Sequence, residues 1–386
     1  MDIYKISPHN KYKELLKNLG VQDGGISIIS DKMDRHLIYI KNLRTPAGNI
    51  LKQDALSIGA ELAVPSGVIT CSSKYTDALL IASTKELKIL SKKELAQPFG
   101  LKELAIKLKR YVDTNDYSTK IMGVINANDD SFYEKSRFDT TTALSKIEEM
   151  IKEGATIIDI GAVSSRPNAP IVDEDIELSR IKALCDVIYE KELYKKAIFS
   201  IDSYSFNVVK YALKSGFKII NDITGARDER LIHLAKEYNA RYVIMHMKGT
   251  PQTMQDSPTY DDVMIEVSNF FETQIQKCID AGLTLDDIIL DIGIGFGKTL
   301  KHNITLLNNL EHFKSFGCEL LVGASRKSMI EHIMKEPTPT KDRLSGTLAL
   351  HLKAIENGAT IIRCHDVYEH KQAISVALEM MNFDMI

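Results

Sequence analysis

Asp291 opens the stretch Asp-Ile-Gly-Ile-Gly-Phe-Gly-Lys, which ends at Lys298 and follows the apolar run Ile288-Ile289-Leu290. A buried strand that ends in a carboxylate delivers one acid to the floor of a pocket. Gly293, Gly295 and Gly297 then let backbone approach a flat ligand, because they carry no side chain and tolerate positive φ. A phosphate loop requires a further glycine where Ile292 stands, and a dinucleotide fingerprint requires its third glycine one residue later. The stretch therefore reads as the floor beneath a planar, hydrogen-bonding heterocycle.

Other residues able to bind protons or phosphates recur along the chain, each directly after an apolar run. They are Asn126; Asp159, then Ser164-Ser165-Arg166; Asp202; Asn221-Asp222; His246; Ser325-Arg326-Lys327; and Arg363 with His365-Asp366. Any one of them could be a helix cap or a turn residue. A whole series in phase with the apolar runs is what an enzyme needs to bring charge to one place. No Ser-His-Asp or Cys-His pattern calls for a nucleophilic side chain.

The elements that must position these groups are legible. Strand-like runs occur at 120–125, 156–160, 197–201, 218–223, 241–245, 287–290, 319–323 and 359–364. Helical patterns lie between most of them, among them 143–153, 206–215, 228–238, 260–281 and 304–313. Eight strand–helix units over roughly 270 residues predict an α/β fold, a (β/α)8 TIM barrel, whose strand C-termini form the active face. The runs are rich in Ile and Val without alternation, as covered parallel strands are. About forty residues separate the fifth and sixth runs, which predicts an extended or doubled helix there.

Residues 1–116 differ, and predict a small α+β N-terminal domain ahead of a catalytic domain over 117–386. Runs at 26–29, 37–40, 56–64, 68–71 and 78–82 read as strands between turn residues. Ser91-Lys-Lys-Glu94 is a capping-box pattern that predicts a helix from about Lys92, and Leu101–Tyr111 reads as an amphipathic helix. Glu61 is expected at an edge or rim, and no catalytic constellation stands out in this region.

A net charge of −3 and 26% charged residues carry no nucleic-acid footprint. Five scattered cysteines, odd in number and without a C-x-x-C pair, favour reduced thiols in a cytoplasmic protein. The polar start predicts no signal peptide, and no apolar run reaches the roughly 18 residues of a membrane span.

Taken in order, VINANDDSF, IIDIGAVSSRPNAP, SIDSYSFNVVKYAL, IINDITG, MHMKGTPQTMQ, ILDIGIGFGKTLKHN, LVGASRKSMI and RCHDV resemble the motif series of the dihydropteroate synthase family. The resemblance covers about residues 120–370, one motif per strand end. It implies condensation of a pterin pyrophosphate with p-aminobenzoate, Mg²⁺ dependence, loss of pyrophosphate and a homodimer, with no nucleic-acid or membrane partner. It also implies site roles. Asp202, Asn221, Met245, Asp291, Phe296 and Lys327 would hold the pterin. Asn126, Ser165, Arg166, Arg363 and His365 would hold the pyrophosphate, with Asn126 on the metal. Phe132, Ser165, Arg166, Pro167 and Lys327 would line the p-aminobenzoate pocket. Asp202, Arg166, Lys327, Arg363 and His365 form the catalytic set.

Three motifs depart from the family pattern. The first loop reads N-A-N-D-D-S-F rather than N-V-T-P-D-S-F, and the second G-A-V-S-S-R-P-N rather than G-G-E-S-T-R-P-G. Ile292 replaces a proline. These changes touch the loops over p-aminobenzoate and pyrophosphate more than the pterin floor. Two alternatives therefore stand beside the synthase: a catalytically inactive pterin-binding paralogue and a pterin-dependent methyltransferase domain. Zinc ligation by His365 is disfavoured, since no second His or Cys stands at ligand spacing.

Overall fold

All eight apolar runs of the second part become parallel strands of one closed barrel. The structure, a computed structural model, describes residues 3, 12–113, 115, 117–126, 136–163 and 172–382. Residues 1–114 with 377–386 make one unit and residues 115–376 the other.

In the first unit, helices α1 (Tyr12–Asn18) and α2 (Asp23–Met33) precede strand β1 (His36–Arg44). Helix α3 (Thr45–Leu56), β2 (Glu61–Ala63), β3 (Tyr75–Ala82), α4 (Thr84–Lys93) and α5 (Leu101–Arg110) follow. The strands form an antiparallel sheet in the order β1-β3-β2, so Glu61 lies exposed on an edge strand. The core is apolar and closed, with Leu51, Leu62, Leu80, Leu87 and Leu90 fully buried.

Several expected strands of this unit are corrected. Residues 26–29 lie inside α2, where Asp23 in the first turn and Lys32 in the last complement the helix dipole. Most of 56–64 is not strand either: α3 ends at Leu56 and Gly59 turns at φ +92°, leaving three residues to pair. Residues 68–71 belong to a tight turn that begins with a 3₁₀ segment, Ser66–Val68, behind Pro65. The working capping box is Ser83 with Glu86, which starts α4; Glu94 falls in the 3₁₀ turn after that helix. The pattern occurs twice, and only the first copy precedes an apolar helical face.

The barrel strands are β4 (Lys120–Asn126), β5 (Ile157–Gly161), β6 (Ile198–Asp202), β7 (Ile219–Asp222), β8 (Arg241–Met245), β9 (Ile288–Asp291), β10 (Glu319–Val322) and β11 (Ile361–Cys364). Each pairs with the next, and β11 pairs with β4 to close the ring. The helices between are α6 (Ser136–Glu153), α7 (Glu174–Glu190), α8 (Phe206–Lys214), α9 (Glu229–Glu237), α10 (Val263–Asp280), α11 (Leu300–Asn308), α12 (Met329–Met334) and α13 (Leu344–Glu356), with α14 (Val367–Asn382) after the last strand. The long fifth-to-sixth connection is met by α10 at 18 residues.

One apolar layer fills the barrel: Met122, Ile157, Ile219, Val243, Ile289, Leu321 and Ile361 are all fully buried. At the strand N-termini, Glu319 takes Lys120 at 2.7 Å and Arg241 at 2.6 Å. That triad pairs the buried Glu319 carboxylate with two cations, and the described catalytic candidates stand at the opposite ends of the strands. Among the described residues no helix is long and apolar enough to cross a membrane.

Candidate active site

Register alone brings several candidates side by side. Asn126 stands opposite Gly161, Gly161 opposite Asp202, and Asp202 opposite Asn221; on the far side Met245 stands opposite Asp291. These positions share the level where the strands run out, so their side chains converge above the apolar layer.

Arg363 is the hub. Its Nε donates to Asp159 Oδ2 at 2.7 Å and its Nη2 to Asp202 Oδ2 at 2.7 Å. Asp159 Oδ2 also accepts from Asn221 Nδ2 at 3.0 Å. Asp159 is fully buried in an otherwise apolar strand, and a carboxylate there survives only if paired. Two acids thus share one guanidinium. Burial pushes Asp202 up to about 7 against the pull of Arg363, and the neighbouring Asp159 charge adds to the rise. The same two carboxylates raise Arg363 above an already high value despite its burial, so it stays charged.

Across the mouth, Asp291 Oδ1 accepts the Gly293 backbone N–H at 2.7 Å. Burial raises its proton affinity, partly offset by Lys327. Lys327 donates to the Ile294 carbonyl and lies 4.6 Å from the centre of the Phe296 ring. Burial lowers Lys327 to about 8. Met245, Ile223, Met247 and Met254 pack together with Phe296 against them, which makes an apolar wall beside the polar hub.

The glycine-rich floor is held by Lys298, whose Nζ donates to the carbonyls of His246, Gly293 and Phe296, each at 3.0 Å. Gly293 sits at φ +64°, and a Cβ there would lie 2.0 Å from the His246 carbonyl oxygen. His246 itself is buried and pressed down to about 2, so it is a neutral ring.

The Asn221-Asp222 pair divides its labour. Asn221 points to Asp159, whereas Asp222 holds the turn, accepting from the backbone N–H groups of Thr224 (2.7 Å) and Ala226 (2.9 Å) and from the Tyr242 hydroxyl (2.7 Å). Ser325-Arg326-Lys327 divides as well. Ser325 Oγ meets His365 Nδ1 at 2.9 Å, and Arg326 grips Asp366 through two bonds of 2.9 and 2.6 Å. Asn126 is exposed at the end of β4. Phe132, Ser165, Arg166 and Pro167 lie outside the described residues.

Sequence reasoning counted Asp159 and Ser325 among the strand-end groups without naming their partners, and gave no role to Lys298. The signals were present: an acid within Ile-Ile-Asp-Ile, and a lysine at the end of a glycine-rich floor. A buried charge needs a partner, and only the folded chain shows which one.

The family model described as pterin binding enzyme matches residues 122–365, the span that builds this mouth. A Helicobacter pylori protein named bifunctional dihydropteroate synthase/dihydropteroate reductase is 41% identical over 94% of this chain and 96% of its own. The chain belongs to the dihydropteroate synthase family. The Escherichia coli dihydropteroate synthase is 40% identical over 66% of this chain and 89% of its own. Among solved structures, the Yersinia pestis dihydropteroate synthase, described in complex with a sulfonamide drug, aligns with a TM-score of 0.64 at 34% identity. That alignment covers 69% of this chain and 95% of the Yersinia chain. The dihydropteroate synthase reading of the strand-end motifs therefore holds, as does the barrel fold.

Proposed function

We propose that residues 117–386 form the catalytic domain, and that its mouth joins 6-hydroxymethyl-7,8-dihydropterin pyrophosphate to p-aminobenzoate. The observation that carries the division of labour is the pair of acids on opposite sides of the mouth, each beside a cation. Asp202 stands with Arg363, and Asp291 stands near Lys327. Asp291 Oδ2 accepts the donors of the pterin's amino edge, and Asn221 offers one donor and one acceptor to the same ring. Lys327 donates to the 4-oxo side, Asp202 faces the other edge, and Met245 and Phe296 border the ring. Arg363, His365, Ser165 and Arg166 hold the pyrophosphate; Phe132, Ser165, Arg166, Pro167 and Lys327 line the p-aminobenzoate pocket.

The pyrophosphate leaves with the electron pair of its C–O bond. The resulting pterin-methyl cation takes the lone pair of the aniline nitrogen, which then sheds its proton. Arg363 offsets charge on the departing group, while the Asp202 carboxylate stabilises the cation. This is electrostatic preorganisation, in which one key group commonly contributes about 3 kcal/mol.

The donor set fits Mg²⁺ that arrives with substrate. Asn126 offers one exposed amide oxygen beside Gly161, which has no side chain to crowd it. Among the described residues no cluster of three His, Cys, Asp or Glu forms a dedicated cage. Mg²⁺ keeps waters and substrate phosphates and needs few protein oxygens. When bound, it supplies positive charge to the pyrophosphate. A homodimer and cytoplasmic placement complete the reading, the latter supported by five free cysteines.

A second activity has its own support. A match over 94% of the chain necessarily takes in most of residues 1–116, whereas the Escherichia coli synthase matches 66%. Of these two relatives, the one with the longer match is named also as a dihydropteroate reductase. We propose that this chain reduces dihydropteroate as well, and that its first unit is needed for it.

The test is one purified full-length chain with pterin pyrophosphate, p-aminobenzoate and Mg²⁺, following pyrophosphate and dihydropteroate together. Equal release of both, blocked by a sulfonamide, is expected; pterin binding without product would favour the inactive paralogue. Adding a reduced nicotinamide dinucleotide should then give dihydropteroate-dependent oxidation of that donor. No such oxidation would remove the second activity and leave the first.

A further inference from the structure

Two loops bear on the pyrophosphate side of the mouth: 323–328 after β10 and 365–366 after β11. Behind them runs a continuous line of hydrogen bonds. The Ala324 backbone N–H donates to His351 Nε2 at 2.9 Å, His351 Nδ1 meets His370 Nε2 at 2.8 Å, and His370 Nδ1 meets the Asp366 carbonyl at 2.5 Å. His351 comes from α13 and His370 from α14, and each is only 1% exposed.

The two ends fix every proton between them. A backbone N–H only donates, so His351 Nε2 carries a lone pair and its proton is on Nδ1. His370 Nε2 must accept that proton's bond, so the second proton is on His370 Nδ1, where the Asp366 carbonyl receives it. A second proton on either ring would set two N–H groups head to head. Burial lowers the proton affinity of both rings in the same sense. Asp366, whose carbonyl ends the line, also grips Arg326 with its carboxylate, and Ser325 meets His365 one residue away.

We propose that His351 and His370 are positioning residues for the synthase reaction: a neutral, single-tautomer relay that fixes the Ser325–Lys327 loop against Arg363 and His365. Neither ring touches substrate. The relay sets the spacing across which the leaving group is held, so its loss slows turnover more than it weakens the pterin, which rests on Asp291 and Asn221. This rests on the assignment of Lys327, Arg363 and His365 to the reacting face.

The test uses the full-length chain with His351→Leu, His370→Leu, both together, and His351→Gln and His370→Gln. Each leucine should lower kcat by about tenfold or more while affinity for a bare pterin stays within about twofold. The double variant should be no worse than the worse single, because both act through one line. Glutamine keeps one acceptor and one donor, and should restore kcat to within about threefold of the starting protein. Unchanged kcat in the leucine variants, pterin affinity lost in step with kcat, or losses that multiply in the double variant would each overturn the relay. Should leucine prevent folding, ring-nitrogen NMR of the unaltered protein decides. Nδ1–H on both rings at pH 7 supports the relay, and Nε2–H or a charged ring on either overturns it. The assignment beneath it fails separately, if Lys327→Ala and Arg363→Ala both keep full turnover.

Discussion

Arg363 Nε lies 2.7 Å from Asp159 Oδ2, across 204 residues of sequence. That bond ties the last barrel strand to the second, and the oxygen that makes it also takes Asn221 at 3.0 Å. Asp159 therefore orients one residue assigned to the leaving group and one assigned to the pterin.

Asp159→Asn should consequently damage both functions. Pterin affinity and kcat/KM should each fall by about tenfold or more, on the order of 1.4 kcal/mol. Removing one partner of a buried ion pair should also cost about 3 kcal/mol of stability. Calorimetric titration, steady-state kinetics and urea unfolding check this; a loss in only one of the two functions would separate Asn221 from Arg363.

Asp291 is assigned to the pterin edge alone. Asp291→Asn should weaken a pterin pyrophosphate analogue by about tenfold, again on the order of 1.4 kcal/mol. Arg363→Ala should instead reduce turnover far more than binding of a bare pterin. Isothermal titration against the bare pterin distinguishes the two patterns.

The pH dependence of kcat/KM follows from two groups. On the proposed mechanism Asp202 acts as a carboxylate; burial pushes it up to about 7, so activity should fall as pH drops through that value. On the same mechanism Lys327 acts as an ammonium; burial lowers it to about 8, so activity should fall again as pH rises past it. A bell with limbs near these values is expected. Asp202→Asn should flatten what remains of the acid limb, and Lys327→Gln the alkaline one.

Gly293 and Gly295 both have positive φ, but only one is crowded. A Cβ at Gly293 would meet the His246 carbonyl oxygen at 2.0 Å, whereas at Gly295 its nearest neighbour is Lys327 Cδ at 3.5 Å. Gly295→Ala should cost about 1 kcal/mol, the strain of a left-handed residue. Gly293→Ala should cost about 3 kcal/mol or more, because backbone must also move. Thermal and urea unfolding of the two variants give the comparison.

Glu94 makes the stability of the first unit pH-dependent. It is fully buried, with Asp54 and Lys93 as its charged neighbours. Burial, with the Asp54 charge, raises it to about 7. The folded chain thus holds a proton that the unfolded chain has already released above about 4.5, so this group costs increasing stability between pH 4.5 and 7. Glu94→Gln should remove that slope and stabilise the protein at pH 8 by about 1 kcal/mol or more. Urea midpoints at pH 5 and pH 8 measure it.

The amino-acid sequence by itself determined the barrel, because eight Ile- and Val-rich runs alternating with helical patterns have few other ways to bury their apolar surface. It also indicated that Asp202, Asn221 and Asp291 stand at the strand ends, since a carboxylate or amide that ends an apolar run comes out where the strand does. It was a poorer guide in the first unit. There the runs at 26–29 and 68–71 are too short for periodicity to separate strand from helix or turn. Tertiary structure alone decided the pairing: Asp159 with Arg363, Ser325 with His365, Lys298 with three carbonyls, and the line from Ala324 through His351 and His370 to Asp366. Several of those partners are far apart in the chain, as Asp159 and Arg363 are across 204 residues, and even for near ones hydrogen bonds depend on position and direction in space, which residue types and spacing do not encode.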